Sequence, residues 1–134
     1  MNDVGAGVNG QVRVLVVDDD PVILRLLEVN FEMEGYAVQT AADGASGLRA
    51  AQESRPDVIV SDVMMPQMNG LELVAALDAD DATGAIPVIL LSARAQELDV
   101  RDGLAAGADD YVTKPFDPLE LIDRVKQLLA GSRG

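Results

Sequence analysis

The sequence predicts an α/β fold in which a five-stranded parallel sheet is covered by helices on both faces. Three observations carry this. From Val12 onward, apolar runs rich in Val, Ile and Leu alternate with stretches of helical periodicity. The strand-like runs are apolar almost throughout, which is the pattern of strands buried on both faces. The connections are short, so right-handed crossovers bring successive strands into one parallel sheet.

The elements follow in order. Val12–Asp18 (VRVLVVD) is the first strand. Asp20-Pro21 supplies an N-cap and a proline at the first helical position. That helix runs to about Glu34 with Leu24, Leu27 and Phe31 on one face, and Gly35 stops it. Tyr36–Ala41 is a shorter second strand, and Asp43–Ser54 a second helix broken by Pro56. Asp57–Asp62 (DVIVSD) is the third strand, Met64–Gly70 an irregular loop, and Leu71–Leu77 the third helix, ended by the polar stretch Asp78–Gly84. Pro87–Ser92 (PVILLS) is the fourth strand, and Gln96–Ala106 a fourth helix closed by Gly107. Tyr111–Thr113 ends the fifth strand. After Lys114-Pro115, a fifth helix covers roughly Asp117–Ala130 with Leu119, Ile122, Val125 and Leu129 on one face.

The 134 residues fit one domain, here residues 12–130, between a leader read as disordered (1–11) and a flexible end (131–134). The leader contains Gly5-Ala6-Gly7-Val8-Asn9-Gly10, a formal GxGxxG. That dinucleotide fingerprint works only between a strand and the helix that follows it, and here it precedes the first strand. It is therefore rejected.

Composition narrows the chemistry. With 23 acidic against 10 basic residues the net charge is −13, which disfavours direct binding to nucleic acid or to anionic membranes. The chain has no Cys and no His, which excludes disulfides, the usual zinc ligand sets and His-based nucleophilic triads. No apolar run approaches the roughly 20 residues of a membrane span, and no secretory signal opens the chain. A cytoplasmic location is the expectation.

In open α/β sheets, ligands bind beyond the carboxyl ends of the strands. Those ends carry Asp18 and Asp19, Asp62, Ser92 and, after the fifth strand, Lys114. Clustered carboxylates repel, and a hard divalent cation relieves the cost. One carboxylate can then attack phosphorus while a lysine and a hydroxyl stabilise the transferring charge. Taken singly, Asp62 reads as a strand-end carboxylate, Ser92 as a cap and Lys114 as a solvated charge. Their placement at one end of consecutive strands points to a Mg²⁺ or phosphate site without naming the reaction.

Over residues 12–130 the chain resembles the response-regulator receiver family. The resemblance rests on VLVVDDD at the first strand end, VIVSDVMMPQMNG around Asp62, PVILLSA at the fourth strand and GADDYVTKPF before the last helix. It implies a flavodoxin-like, doubly wound sheet of order 2-1-3-4-5 with five helices. It also implies a phosphorylation-dependent switch of a two-component system, served by a histidine kinase or phosphotransfer protein and read by a downstream effector or output domain. By position, Asp62 matches the phospho-acceptor. Asp19 matches a direct Mg²⁺ ligand, Asp18 one acting through water, and Met64 one acting through its backbone carbonyl. Lys114 matches the phosphoryl contact, followed by a cis bond to Pro115, and Ser92 with Tyr111 matches the switch pair. The switch is expected to alter the surface formed by the fourth helix, the fifth strand and the fifth helix.

Met64 and Arg94 occupy the positions that tune dephosphorylation in the family, and neither suits the positioning of water. Slow loss of the phosphoryl group is the expectation. Asp110, Glu120 and Arg124 fit the charge pattern of receivers that dimerise ahead of DNA-binding domains, but Val100 stands where a basic partner for Glu120 is usual. A monomer or a phosphorylation-dependent dimer is compatible with this pattern. The chain reads as a single-domain regulator or the receiver of a longer one, with a slight preference for the former. A switch that modifies only itself is not a turnover enzyme. The competing enzyme class is a phosphatase or phosphotransferase with an aspartyl-phosphate intermediate, whose DxD follows the first strand. Asp18-Asp19-Asp20 matches that pattern nominally, but Pro21 starts a helix there and no cap domain is available.

Overall fold

The computed structural model describes residues 11–92 and 107–133. Its elements are β1 (Arg13–Val17), α1 (Pro21–Met33), β2 (Ala37–Ala41), α2 (Gly44–Ser54), β3 (Val58–Asp62), α3 (Gly70–Ala79), β4 (Val88–Ser92), β5 (Asp110–Thr113) and α4 (Pro118–Arg133). The strands form one sheet of order β2-β1-β3-β4-β5 with every pairing parallel. This is the order implied by the family resemblance.

The described residues account for four helices. Five helices are expected from the sequence, whereas four are present among the described residues, and α4 corresponds to the expected fifth. The expected fourth, Gln96–Ala106, lies outside the described residues. So do residues 1–10 of the leader, with its glycine motif. The last helix continues to Arg133, past the expected end near Ala130.

Local signals set the helix boundaries. The Asp20 carboxylate accepts from the Val22 amide at 2.9 Å, with Pro21 opening α1. Gly35, at φ +91°, follows the end of α1 in a conformation that favours glycine. At α3 the start falls at Gly70, one residue before the expected Leu71, because Asn69 and Glu72 form a reciprocal capping box. The Glu72 amide donates to Asn69 Oδ1 at 2.8 Å, and the Asn69 amide donates to Glu72 Oε1 at 2.9 Å.

The central strands β1, β3 and β4 are buried on both faces, which is why they lack polar alternation. On one face Leu15, Val17, Ile59 and Leu90 pack with Ala50 and Ala51 of α2 and Leu73, Val74 and Leu77 of α3. On the other, Val14, Val16, Val58, Val60, Ile89 and Leu91 pack with Leu27 and Phe31 of α1 and Leu121, Ile122, Val125 and Leu129 of α4. The chain is thus wound on both sides of β1 and β3, and the crevice between their carboxyl ends falls at the reversal of strand order.

Candidate functional site

Register builds this site. β1 and β3 are adjacent and parallel, with Val17 opposite Ser61. The next residues, Asp18 and Asp62, therefore leave the sheet side by side. On the far side of β3, Ser92 ends β4 opposite Thr113 of β5, and the Lys114 amide donates to the Ser92 carbonyl at 2.7 Å. The Lys114–Pro115 bond is cis, as the family resemblance implies.

Lys114 reaches across the sheet end. Its Nζ lies 3.1 Å from Asp18 Oδ2 and 3.2 Å from Asp62 Oδ1. The other Asp18 oxygen, Oδ1, accepts from the Asp20 amide at 2.9 Å, so that carboxylate is held at both ends. Asp19 is exposed, while Asp18, Asp62 and Ser92 are buried. One carboxylate oxygen from each of Asp18, Asp19 and Asp62 falls within 4.8 Å of the others.

Electrostatics follow from burial and crowding. Burial pushes the Asp18 carboxyl above the ordinary carboxylate range, against the pull of the Asp20 amide and Lys114. Asp62 is likewise raised, by burial first and by the Asp18 charge second, with Lys114 opposing. For Lys114, burial lowers the pKa, but its contacts with Asp18 and Asp62 outweigh this and the net shift is upward. One ammonium does not relieve two buried carboxylates and a third at the rim. Such a cluster favours additional positive charge, and all-oxygen ligands of this kind suit a hard divalent ion.

The structure thus brings Asp18, Asp19, Asp62 and Lys114 together and places Ser92 one strand away, at the same edge. Met64 lies in the turn after β3, two residues past Asp62, and is 54% exposed. Tyr111 is half-buried opposite Leu90 and packs against the α2–α3 side of the core. Arg94 and Val100 lie outside the described residues. Arg124 pairs within its own chain, its Nη1 donating to both Asp110 oxygens at 2.8 and 2.9 Å and its Nη2 lying 3.8 Å from Glu120.

Two features escape sequence reasoning. One is the Lys114–Asp18 contact, which joins residues 96 positions apart. The other is the second role of Asp20, whose backbone amide holds Asp18 while its side chain caps α1. Capping was legible from Asp-Pro, whereas the amide contact has no sequence signal.

Comparison with known proteins decides the family. The response regulator receiver domain matches residues 14–126. The chain belongs to that family. As a receiver, it is 52% identical over 117 residues to the transcriptional regulatory protein PrrA of Mycobacterium tuberculosis, a match covering 87% of this chain and 49% of PrrA. It is 45% identical over 117 residues to the DNA-binding dual master transcriptional regulator RpaA of Synechocystis, covering 87% of this chain and 48% of RpaA. The receiver spans about half the length of the curated relatives it matches. Among solved structures, the Francisella response regulator 1452 receiver domain superposes with a TM-score of 0.85 at 38% identity, covering 91% of this chain and 99% of that one. The receiver domain of the Pseudomonas aeruginosa sensor histidine kinase PA1611, solved with a magnesium ion coordinated in its active site cleft, superposes with a TM-score of 0.83 at 31% identity, covering 90% of this chain and 98% of that one. Among the described residues, no helix is long and apolar enough to cross a membrane.

Proposed function

We propose that this receiver is a phosphorylation-dependent switch that accepts a phosphoryl group on Asp62. The observation that carries the reading is the position of Lys114 Nζ, 3.2 Å from Asp62 Oδ1, in a cluster whose carboxylates are buried and crowded. In the transfer, an Asp62 oxygen forms a bond to phosphorus. The bond from phosphorus to a histidine nitrogen of the donor protein breaks, and that nitrogen keeps the electron pair. Lys114 stabilises the phosphoryl oxygens, and Ser92, buried at the end of β4, supplies a hydroxyl toward them.

The donor set fits magnesium. Asp18, Asp19, Asp62 and the Met64 carbonyl would hold the ion, all through oxygen, with Asp18 acting through water. Bound there, magnesium would offset the carboxylate repulsion and neutralise charge on the phosphoryl oxygens. The magnesium in the cleft of the PA1611 receiver supports this assignment. Phosphorylation then draws Ser92 toward the new charge and Tyr111 into the space released, changing the surface around β5 and α4. Its readers are an effector or an output domain, and its donor is a histidine kinase or phosphotransfer protein.

The reaction is stoichiometric, which separates a switch from an aspartyl-phosphate enzyme. Incubation with Mg²⁺ and a small phosphodonor, followed by intact-mass measurement, is expected to show one phosphoryl group on the wild type and none on Asp62→Asn. Equal labelling of both would overturn the assignment. Multiple turnover of a phosphate ester would favour the enzyme instead.

A further inference from the structure

We propose that Gly44, the first residue of α2, is a positioning residue for the Met64 carbonyl, acting through Met68. The inference rests on the magnesium reading above and adds to it a residue that touches none of the proposed ligands.

The turn after β3 leaves Asp62 and comes back to it. The Gly70 amide donates to the Val63 carbonyl at 2.9 Å. A Cβ on Gly70 would stand 2.5 Å from the Asp62 carbonyl oxygen and 2.8 Å from Val63 Cα. Only a glycine lets α3 start this close to the strand end. Asn69 and Glu72 lock the same corner through their capping box, and Gln67 turns the chain at φ +68°. The two ends of the turn are therefore pinned beside Asp62.

Its outer limb is held from elsewhere. Met68 lies on the start of α2, where a Cβ on Gly44 would come within 2.5 Å of the Met68 carbonyl oxygen and 2.9 Å of its Cβ and Cγ. Gly44 is buried, and Met68 packs against the α2–α3 side of the core. The closest atom is backbone oxygen, so no side-chain rotation can relieve the overlap. A methyl group there must displace the turn or the start of α2, and α2 is held by its cap, where the Asp43 carboxylate accepts from the Ser46 amide at 2.7 Å, so the turn yields. Because both ends of the turn are fixed, the displacement is taken up between Val63 and Met68, the stretch that contains Met64. Gly44 thus sets the height of the turn over the acidic cluster, from a connection that contributes no ligand of its own.

The test measures Mg²⁺ affinity of the purified chain by calorimetric titration, alongside urea unfolding in EDTA. Gly44→Ala is expected to weaken Mg²⁺ binding about tenfold, the scale on which residues that orient metal ligands act. Leu77→Ala, at the other end of α3, is expected to lower the urea midpoint and leave Mg²⁺ affinity unchanged. Met68→Ala keeps the backbone oxygen and Cβ but removes the side chain that seats this limb on the α2–α3 side of the core, and is expected to weaken binding as well. Wild-type affinity in folded Gly44→Ala would overturn the proposal, as would an equal loss of affinity in Leu77→Ala. If Gly44→Ala does not fold, Met68→Ala decides, and wild-type affinity in that variant is the overturning result. A wild type that binds no Mg²⁺ would overturn the magnesium reading itself, a separate and recognisable failure.

Discussion

Asp62 is held in a costly state. It is buried beside a second carboxylate, and its pKa is raised because burial and the Asp18 charge outweigh the pull of Lys114. A carboxylate whose pKa is raised by folding disfavours the folded state wherever it is ionised. The cost is absent below the ordinary carboxylate pKa, grows as pH rises from there to the raised value, and is complete above it. Asp62→Asn keeps the shape and removes the charge. Urea unfolding in EDTA at pH 7 is therefore expected to show a higher midpoint for Asp62→Asn than for the wild type, with the two converging in acid. A lower midpoint at pH 7 would mean that the Lys114 pair outweighs burial. The residues that give the site its chemistry are thus the ones that strain the metal-free fold. Their types and positions at the strand ends were legible in the sequence, but their burial and the bridging by Lys114 were not, since both depend on residues distant along the chain.

At the scale of elements, the helix starts do two jobs. Asp20 caps α1 and its amide holds Asp18, while the Asn69–Glu72 box caps α3 and closes the turn after Asp62. Asn69→Ala removes the cap and is expected to cost about 1 kcal/mol, read as a lower urea midpoint with an unchanged denaturant slope. An unchanged midpoint would show that Gly70 alone fixes the corner. The strand boundaries predicted from apolar runs agree with the structure to within a residue or two, because a strand buried on both faces must be apolar along its length. The start of α3 was placed one residue late. Gly70 reads as a loop residue by composition, and only the capping box and the close approach to Asp62 show why the helix begins there.

At the scale of the molecule, the described core falls into two layers on opposite faces of the sheet. Phe31 is fully buried in the layer between α1, α4 and the sheet, on the side away from Met68 and α2. Phe31→Ala is expected to cost about 3–5 kcal/mol, measured by urea unfolding, and to leave Mg²⁺ affinity of the folded protein unchanged. Reduced affinity would show that the two layers are coupled through the sheet. The sequence by itself determined that the chain is an α/β receiver, with carboxylates at one strand end, a lysine after the last strand and nothing to support His, Cys or membrane chemistry. Those are properties of residue type, periodicity and order. Only the tertiary structure decided that Asp18 and not Asp19 is buried, that Lys114 spans Asp18 and Asp62, and that Gly44 lies against Met68 of the turn after β3. These contacts form when strands and loops far apart in sequence are brought together in parallel register, and no local pattern records a distance between them.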